Sequence, residues 1–233
     1  MFPLRDTVPS RTFPVVTWVL IVTNTVIFFY EASLPPHMQQ QLIETLGFVP
    51  ARLFGGQAPL WGLVTLFTSM FLHGGWFHLF SNMWALYIFG DNVEERMGPG
   101  RYFLFYILSG LSAALLQGIL MPTSQVPMVG ASGAISGVLG AYFLFFPNSR
   151  IISWVPVFLF FGYYIEVPAV FYLGVWFLTQ VYSGLFSLSL PQGMQGGGVA
   201  WWAHVGGFVF GLLFARFFAR EDYPRWPDEY WTW

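Results

Sequence analysis

Ser132 stands among the small residues Gly130, Ala131 and Gly133 at the start of one hydrophobic segment, and His204 sits one turn into another. A serine hydroxyl that meets an imidazole in space is a nucleophile with its base. An apolar membrane helix has no inexpensive reason to carry a histidine, so that ring asks for a chemical reading. A second pair, His78 and Asn82, is spaced i, i+4 and projects from one helix face. Nucleophile, general base and two further hydrogen-bonding side chains are the parts needed for acyl transfer with a stabilised oxyanion.

Composition describes the elements that must position these groups. Of 233 residues, 56% are hydrophobic and 9% charged, where a soluble domain carries roughly 25% charge. The chain reads as a membrane protein whose first partner is the lipid bilayer. Its 27 Phe, 11 Trp and 11 Tyr supply lipid-facing surface and interfacial belts. The absence of cysteine excludes disulfides and thiolate chemistry, and a net charge of -2 argues against nucleic acid as a partner. Six apolar runs, 15–30, 76–90, 102–120, 129–146, 167–188 and 199–218, reach or approach the length of a membrane helix. The predicted class is therefore all-α, a polytopic six-transmembrane-helix bundle. Residues 1–14 precede the bundle, 15–220 form it with a long loop at about 32–75, and 221–233 make a tail rich in Trp, Tyr and Pro. The stretch 151–164 is broken by Pro156 and is expected at the membrane interface, while 60–72 lies in or beside the membrane ahead of the His73, Gly74, Gly75 break. The first run has neither a basic flank nor a small-residue cleavage site and reads as a retained span.

Orientation follows from charge. With six spans, Arg5, Arg11, Arg96, Arg101, Arg150, Arg216, Arg220 and Arg225 share one side, and only Arg52 lies opposite. The positive-inside rule makes both termini cytoplasmic and the long first loop external. Spans two, four and six then run in the same direction, and His78, Asn82, Ser132 and His204 fall at one depth near the outer face. Gly133 and Gly137 on span four and Gly207 and Gly211 on span six are small-xxx-small patterns that let helices approach closely. With Gly130 beside the serine, they supply the packing that would bring Ser132 to His204.

On these residues the chain resembles the rhomboid family of intramembrane serine proteases. The resemblance rests on His78 and Asn82 in HGGWFHLFSNM, on GASGAISG around Ser132, on AHVGGFVFG around His204 and on the loop DNVEERMGPGR, and covers about residues 15–220. It implies a Ser132 nucleophile, a His204 base and an oxyanion site built from the His78 and Asn82 side chains and the Ser132 N–H. It further implies a six-helix rhomboid-like bundle with a water-admitting cavity, and substrate entry between spans two and five. Two positions depart from the pattern. Many members carry an aromatic residue four places after the serine, where this chain has Ser136, and many carry Trp-Arg in the first outer loop, where Trp61 is followed by Gly62.

The expected function is a serine endopeptidase that cleaves single-span membrane proteins near the outer face of a prokaryotic plasma membrane, with no cofactor and no metal. A helical peptide bond is shielded by its own turn, so the substrate must unwind there. With no intramembrane Asp to orient His204, the expected machinery is a dyad rather than a triad. His73 reads as a loop or helix-start residue, and Glu94, Glu95 and Arg96 as caps at the end of span two. A zinc site of His73, His78 and His204 is disfavoured by the absence of HExxH, cysteine and a nearby acid. A transporter would need ionisable groups on a central pathway. The remaining alternative is a catalytically inactive rhomboid-like protein that binds membrane clients.

Overall fold

The computed structural model describes residues 1–158, 161–189 and 198–221; the tail beyond Glu221 lies outside them. In chain order the elements are β1 (Phe2–Asp6), α1 (Val15–Ser33), α2 (Pro36–Leu46), α3 (Pro50–Leu53), α4 (Pro59–Thr68) with a 3₁₀ turn at Ser69–Phe71, α5 (Trp76–Met97), α6 (Pro99–Leu120), α7 (Ser132–Phe145), β2 (Arg150–Phe158), β3 (Phe161–Pro168), α8 (Ala169–Ser189) and α9 (Trp201–Phe218). Proline opens α2, α3, α4 and α6 at their first positions, where its missing N–H costs nothing. Gly98, at φ +79°, stops α5, and Pro99 starts α6 on the next residue.

Every expected span is helical over most of its length, but not all are equal. Helices α1, α6, α8 and α9 are each long and apolar enough to cross a bilayer. The α4 segment and α5 meet that test only as a pair, bent by 78° at the break around His73, which makes five. A sixth crossing requires α7, whose 14 residues give about 21 Å of helix against roughly 30 Å of hydrocarbon. Its start differs from the apolar run because residues before Ser132 are held out of helical geometry. Met128 pairs with Phe48 as a β-bridge, the Gly130 N–H donates to the Ser69 carbonyl at 2.9 Å, and Gly130 has φ +122°.

The all-α class is corrected by a three-stranded antiparallel sheet in the order β1-β2-β3. Trp154 pairs with Phe2 on one side and Tyr164 on the other. Pro156 forbids a helix through this stretch, and Ile, Val, Trp, Tyr and Phe suit strands. A hairpin is marginal alone, and the distant N-terminal strand, invisible to local patterning, completes it. The N-terminal segment is tied down further where the Trp84 indole N–H donates to the Pro3 carbonyl at 2.7 Å and Tyr142 donates to the Asp6 carboxylate.

The core lies between α5, α6, α7 and α9, with Tyr102, Tyr106, Tyr142, Phe105, Phe208 and Leu86 fully buried. Helices α1 and α8 are peripheral, and present Val19, Val22, Val26, Phe171, Leu178 and Leu185 outward, as lipid-facing helices do. The closest packing joins α7 to α9. A Cβ on Gly207 would fall on the Gly133 carbonyl, and one on Gly211 on the Gly137 carbonyl, while Gly137 itself lies against Ser109 of α6. Gly133 abuts Ala113, where an added Cβ would come within 2.7 Å. Small residues thus let two backbones touch, and the helices position what they carry.

Candidate active site

Ser132 is the first residue of α7, and His204 lies in the first turn of α9. The glycine contacts just described bring these two helix starts together, and His204 Nε2 stands 2.9 Å from Ser132 Oγ. The start of α9 is itself held by Gln117 of α6, whose Oε1 accepts the Ala203 N–H at 3.2 Å, a donor shared with the Ala200 carbonyl at 3.0 Å.

The other ring nitrogen has a partner that sequence reasoning missed. His204 Nδ1 lies 2.8 Å from Gln180 Oε1 on α8. Trp176 and Trp201 flank the ring at centroid distances of 5.9 and 6.2 Å, one tilted and one perpendicular. Ser136 donates instead to the Ser132 carbonyl at 2.6 Å, and its Cβ would lie only 3.1 Å from a side chain at Gly207. Support for the His204 ring comes instead from Gln180 and Trp176 on α8 and from Trp201 on α9. One signal was available: Gln180 is the only amide in the apolar run of α8, and polar side chains in membrane helices seek partners.

His78 and Asn82 reach the same place from α5. The Gly74 N–H donates to His78 Nδ1 at 3.3 Å, so the neutral ring carries its proton on Nε2. That nitrogen would stand 2.6 Å from a Cβ on Gly130, and Asn82 Nδ2 3.6 Å from it. Gly130 is thus required twice, for its positive φ and for the approach of these side chains. Asn82 Nδ2 is buried and, among the described residues, has no hydrogen-bond partner. Two side-chain donors thus converge beside the serine backbone, an arrangement suited to holding an anionic oxygen.

His73, read as a loop or helix-start residue, is buried, its ring 5.2 Å from the His78 ring by centroids. Its N–H donates to Glu31 Oε2 at 3.2 Å, so the end of α1 joins this polar cluster. Among the described residues no group of three or more His, Cys, Asp or Glu is arranged to hold a metal. Ser132, His204, His78, Asn82, Ser69, Phe77 and Trp176 border one cavity of about 530 Å³.

The first long loop is anchored without the expected Trp-Arg pair. The Trp61 indole donates to the Thr45 carbonyl at 2.8 Å, and Gly62 lets α4 lie against Leu53 of α3. Glu94 does cap, but not the helix that carries it, and Glu95 holds the segment just ahead of the capped helix. Glu94 accepts the Val16 and Thr17 N–H groups at 2.8 Å each, and Glu95 accepts that of Arg11 at 2.9 Å. The end of α5 therefore fixes the start of α1.

The rhomboid domain family model matches residues 60–221. The chain is 44% identical over 71 residues to Rhomboid-like protein 11, chloroplastic, of Arabidopsis thaliana, covering 30% of this chain and 25% of that protein. It is 32% identical over 132 residues to the Putative rhomboid protease YdcA of Bacillus subtilis (strain 168), covering 57% and 62% respectively. It is 34% identical over 76 residues to Inactive RHOMBOID-like protein 8 of Arabidopsis thaliana, covering 33% and 21%. The matched region is less than two thirds of each relative's length.

Proposed function

The chain belongs to the rhomboid family, and on that premise we propose that it is an intramembrane serine endopeptidase with Ser132 as nucleophile and His204 as base. The observation that carries this reading is the 2.9 Å approach of His204 Nε2 to Ser132 Oγ beside the unspent Asn82 donor. Ser132 Oγ attacks the scissile carbonyl as its proton passes to His204 Nε2. The oxyanion sits against the Ser132 N–H, the His78 Nε2–H and the Asn82 amide as charge develops. The imidazolium then protonates the departing amine, and water releases the acyl group by the same steps.

Six crossings with both termini cytoplasmic would place this cavity toward the outer face, supported by the arginine distribution. In that orientation the short α7, preceded by the irregular segment 121–131, would start its serine below the outer boundary, which supports water access within the bilayer. Substrates are then single-span membrane proteins whose helix unwinds at that depth. Similarity to an inactive relative keeps a second reading in play, a client-binding protein without turnover; the Ser132–His204 contact favours the enzyme.

Labelling with a fluorophosphonate probe in detergent or proteoliposomes tests the assignment. The native chain is expected to label, and Ser132→Ala and His204→Ala to stay unlabelled. Equal labelling of all three would overturn the proposal, and a native chain that binds a helical client without labelling would favour the second reading.

A further inference from the structure

The amide of Gln180 is buried within α8, where an unpaired amide is costly. Its Nε2 donates to the Trp176 carbonyl at 3.1 Å and to Thr179 Oγ1 at 3.0 Å. Both amide hydrogens are spent within the helix, leaving Oε1 as the atom that faces His204 Nδ1 at 2.8 Å. An oxygen acceptor at that distance requires the proton to be on Nδ1. A neutral imidazole protonated at Nδ1 is bare at Nε2, the nitrogen that faces Ser132 Oγ. The opposite tautomer would set two acceptors against each other at Nδ1 and present Ser132 with a donor, which cannot take its proton. Trp176 and Trp201, on either side of the ring, oppose its rotation out of this arrangement.

We infer that Gln180 is a positioning residue: its amide oxygen holds His204 in the one tautomer and ring orientation that can act as base, making the machinery a Ser132–His204–Gln180 triad in place of a dyad. The inference rests on the reading of Ser132 as nucleophile. During attack the Oγ–C bond forms, the carbonyl π pair moves to the oxyanion, and the Oγ proton goes to Nε2. The Nδ1 proton stays on the ring, and the amide oxygen, oriented before the reaction, stabilises the imidazolium. Collapse expels the amine, which takes the Nε2 proton. No proton reaches Gln180, because an amide is not a base at this strength. The titratable neighbour that acts on His204 is His78, from α5 across the cavity.

The full chain in detergent micelles, with Gln180→Glu, Gln180→Leu and Gln180→Asn, provides the test. Glu keeps the acceptor but gives up the donation to Trp176; Leu keeps bulk and gives up both; Asn withdraws the oxygen by one methylene. Fluorophosphonate labelling is expected to survive in Gln180→Glu, with its pH inflection moved upward, and to slow about tenfold or more in Gln180→Leu and Gln180→Asn. If Gln180 were only a tie within its own helix, Glu and Leu would fall together, and that result would overturn the inference. So would native labelling rates in Gln180→Leu with an unchanged pH profile. Nitrogen-15 NMR of histidine-labelled protein, assigned against His204→Ala, reads the tautomer without any turnover. A proton on Nδ1 in the native chain that redistributes in Gln180→Leu supports the inference, and a native proton on Nε2 defeats it. Absence of Ser132-dependent labelling in the native chain would instead count against the protease reading, with the tautomer measurement still deciding Gln180.

Discussion

The chemistry of the site depends on which hydrogen each polar atom still has to give. His78 spends Nδ1 on the Gly74 N–H and has its Nε2–H left, while Asn82 Nδ2 has no partner among the described residues. A donor that is idle in the resting protein contributes chiefly when the oxyanion forms. Asn82→Ala is therefore expected to lower kcat by about a hundredfold with KM little changed, measured on a single-span substrate in proteoliposomes. A matching rise in KM would instead mark Asn82 as a substrate contact. The residue types Ser132, His204, His78 and Asn82 were legible from the sequence, because polar groups in apolar runs stand out. Gln180 was overlooked because an uncharged amide looks like a packing residue until its partner, from another helix, is known.

Among the elements, α7 and α9 carry the proposed nucleophile and base, and glycine sets their separation. Gly207→Val would drive its side chain into the Gly133 carbonyl and is expected to cost about 1–3 kcal/mol or more, seen as a lower melting temperature together with lost fluorophosphonate labelling. Gly100→Ala, which meets open space, is the control; in a helix it should be neutral or stabilising by up to about 1 kcal/mol. The sheet at the other end of the bundle adds a pH dependence. Burial pushes the Asp6 carboxyl up to about 7 from its ordinary 3.8, with Asp91 adding to the rise and the Tyr142 hydroxyl opposing it. The folded chain holds this proton more tightly than the unfolded chain does. The stability due to Asp6 is thus fully present below about pH 4 and is lost as pH climbs to about 7. Thermal unfolding across that range should show the loss, and Asp6→Asn should flatten it.

For the whole molecule, the proposed topology fixes which surfaces face each side of the membrane. The chain contains no cysteine, so single thiols can be introduced at will. Cysteine at Gln40 in α2 and at Glu166 in β3, both exposed, should lie on opposite sides of the membrane if the bundle is oriented as proposed. In sealed inside-out vesicles an impermeant maleimide is expected to modify the Glu166 position and not the Gln40 position. Modification of both from one side would refute the orientation.

The apolar runs, their flanking Pro and Gly, and the motifs around Ser132, His204, His78 and Asn82 were determined by the sequence, since transfer to lipid and backbone conformation are local properties of a segment. Contacts between distant segments belonged to the tertiary structure alone. Only folding could join Phe2–Asp6 to Arg150–Phe158 in a sheet, turn Glu94 toward the start of α1, begin α7 at Ser132 rather than three residues earlier, and set Gln180 against His204. Each is a hydrogen bond between groups far apart in the chain. The pattern of one segment shows that such a bond is needed, and the packing of all of them decides which partner supplies it.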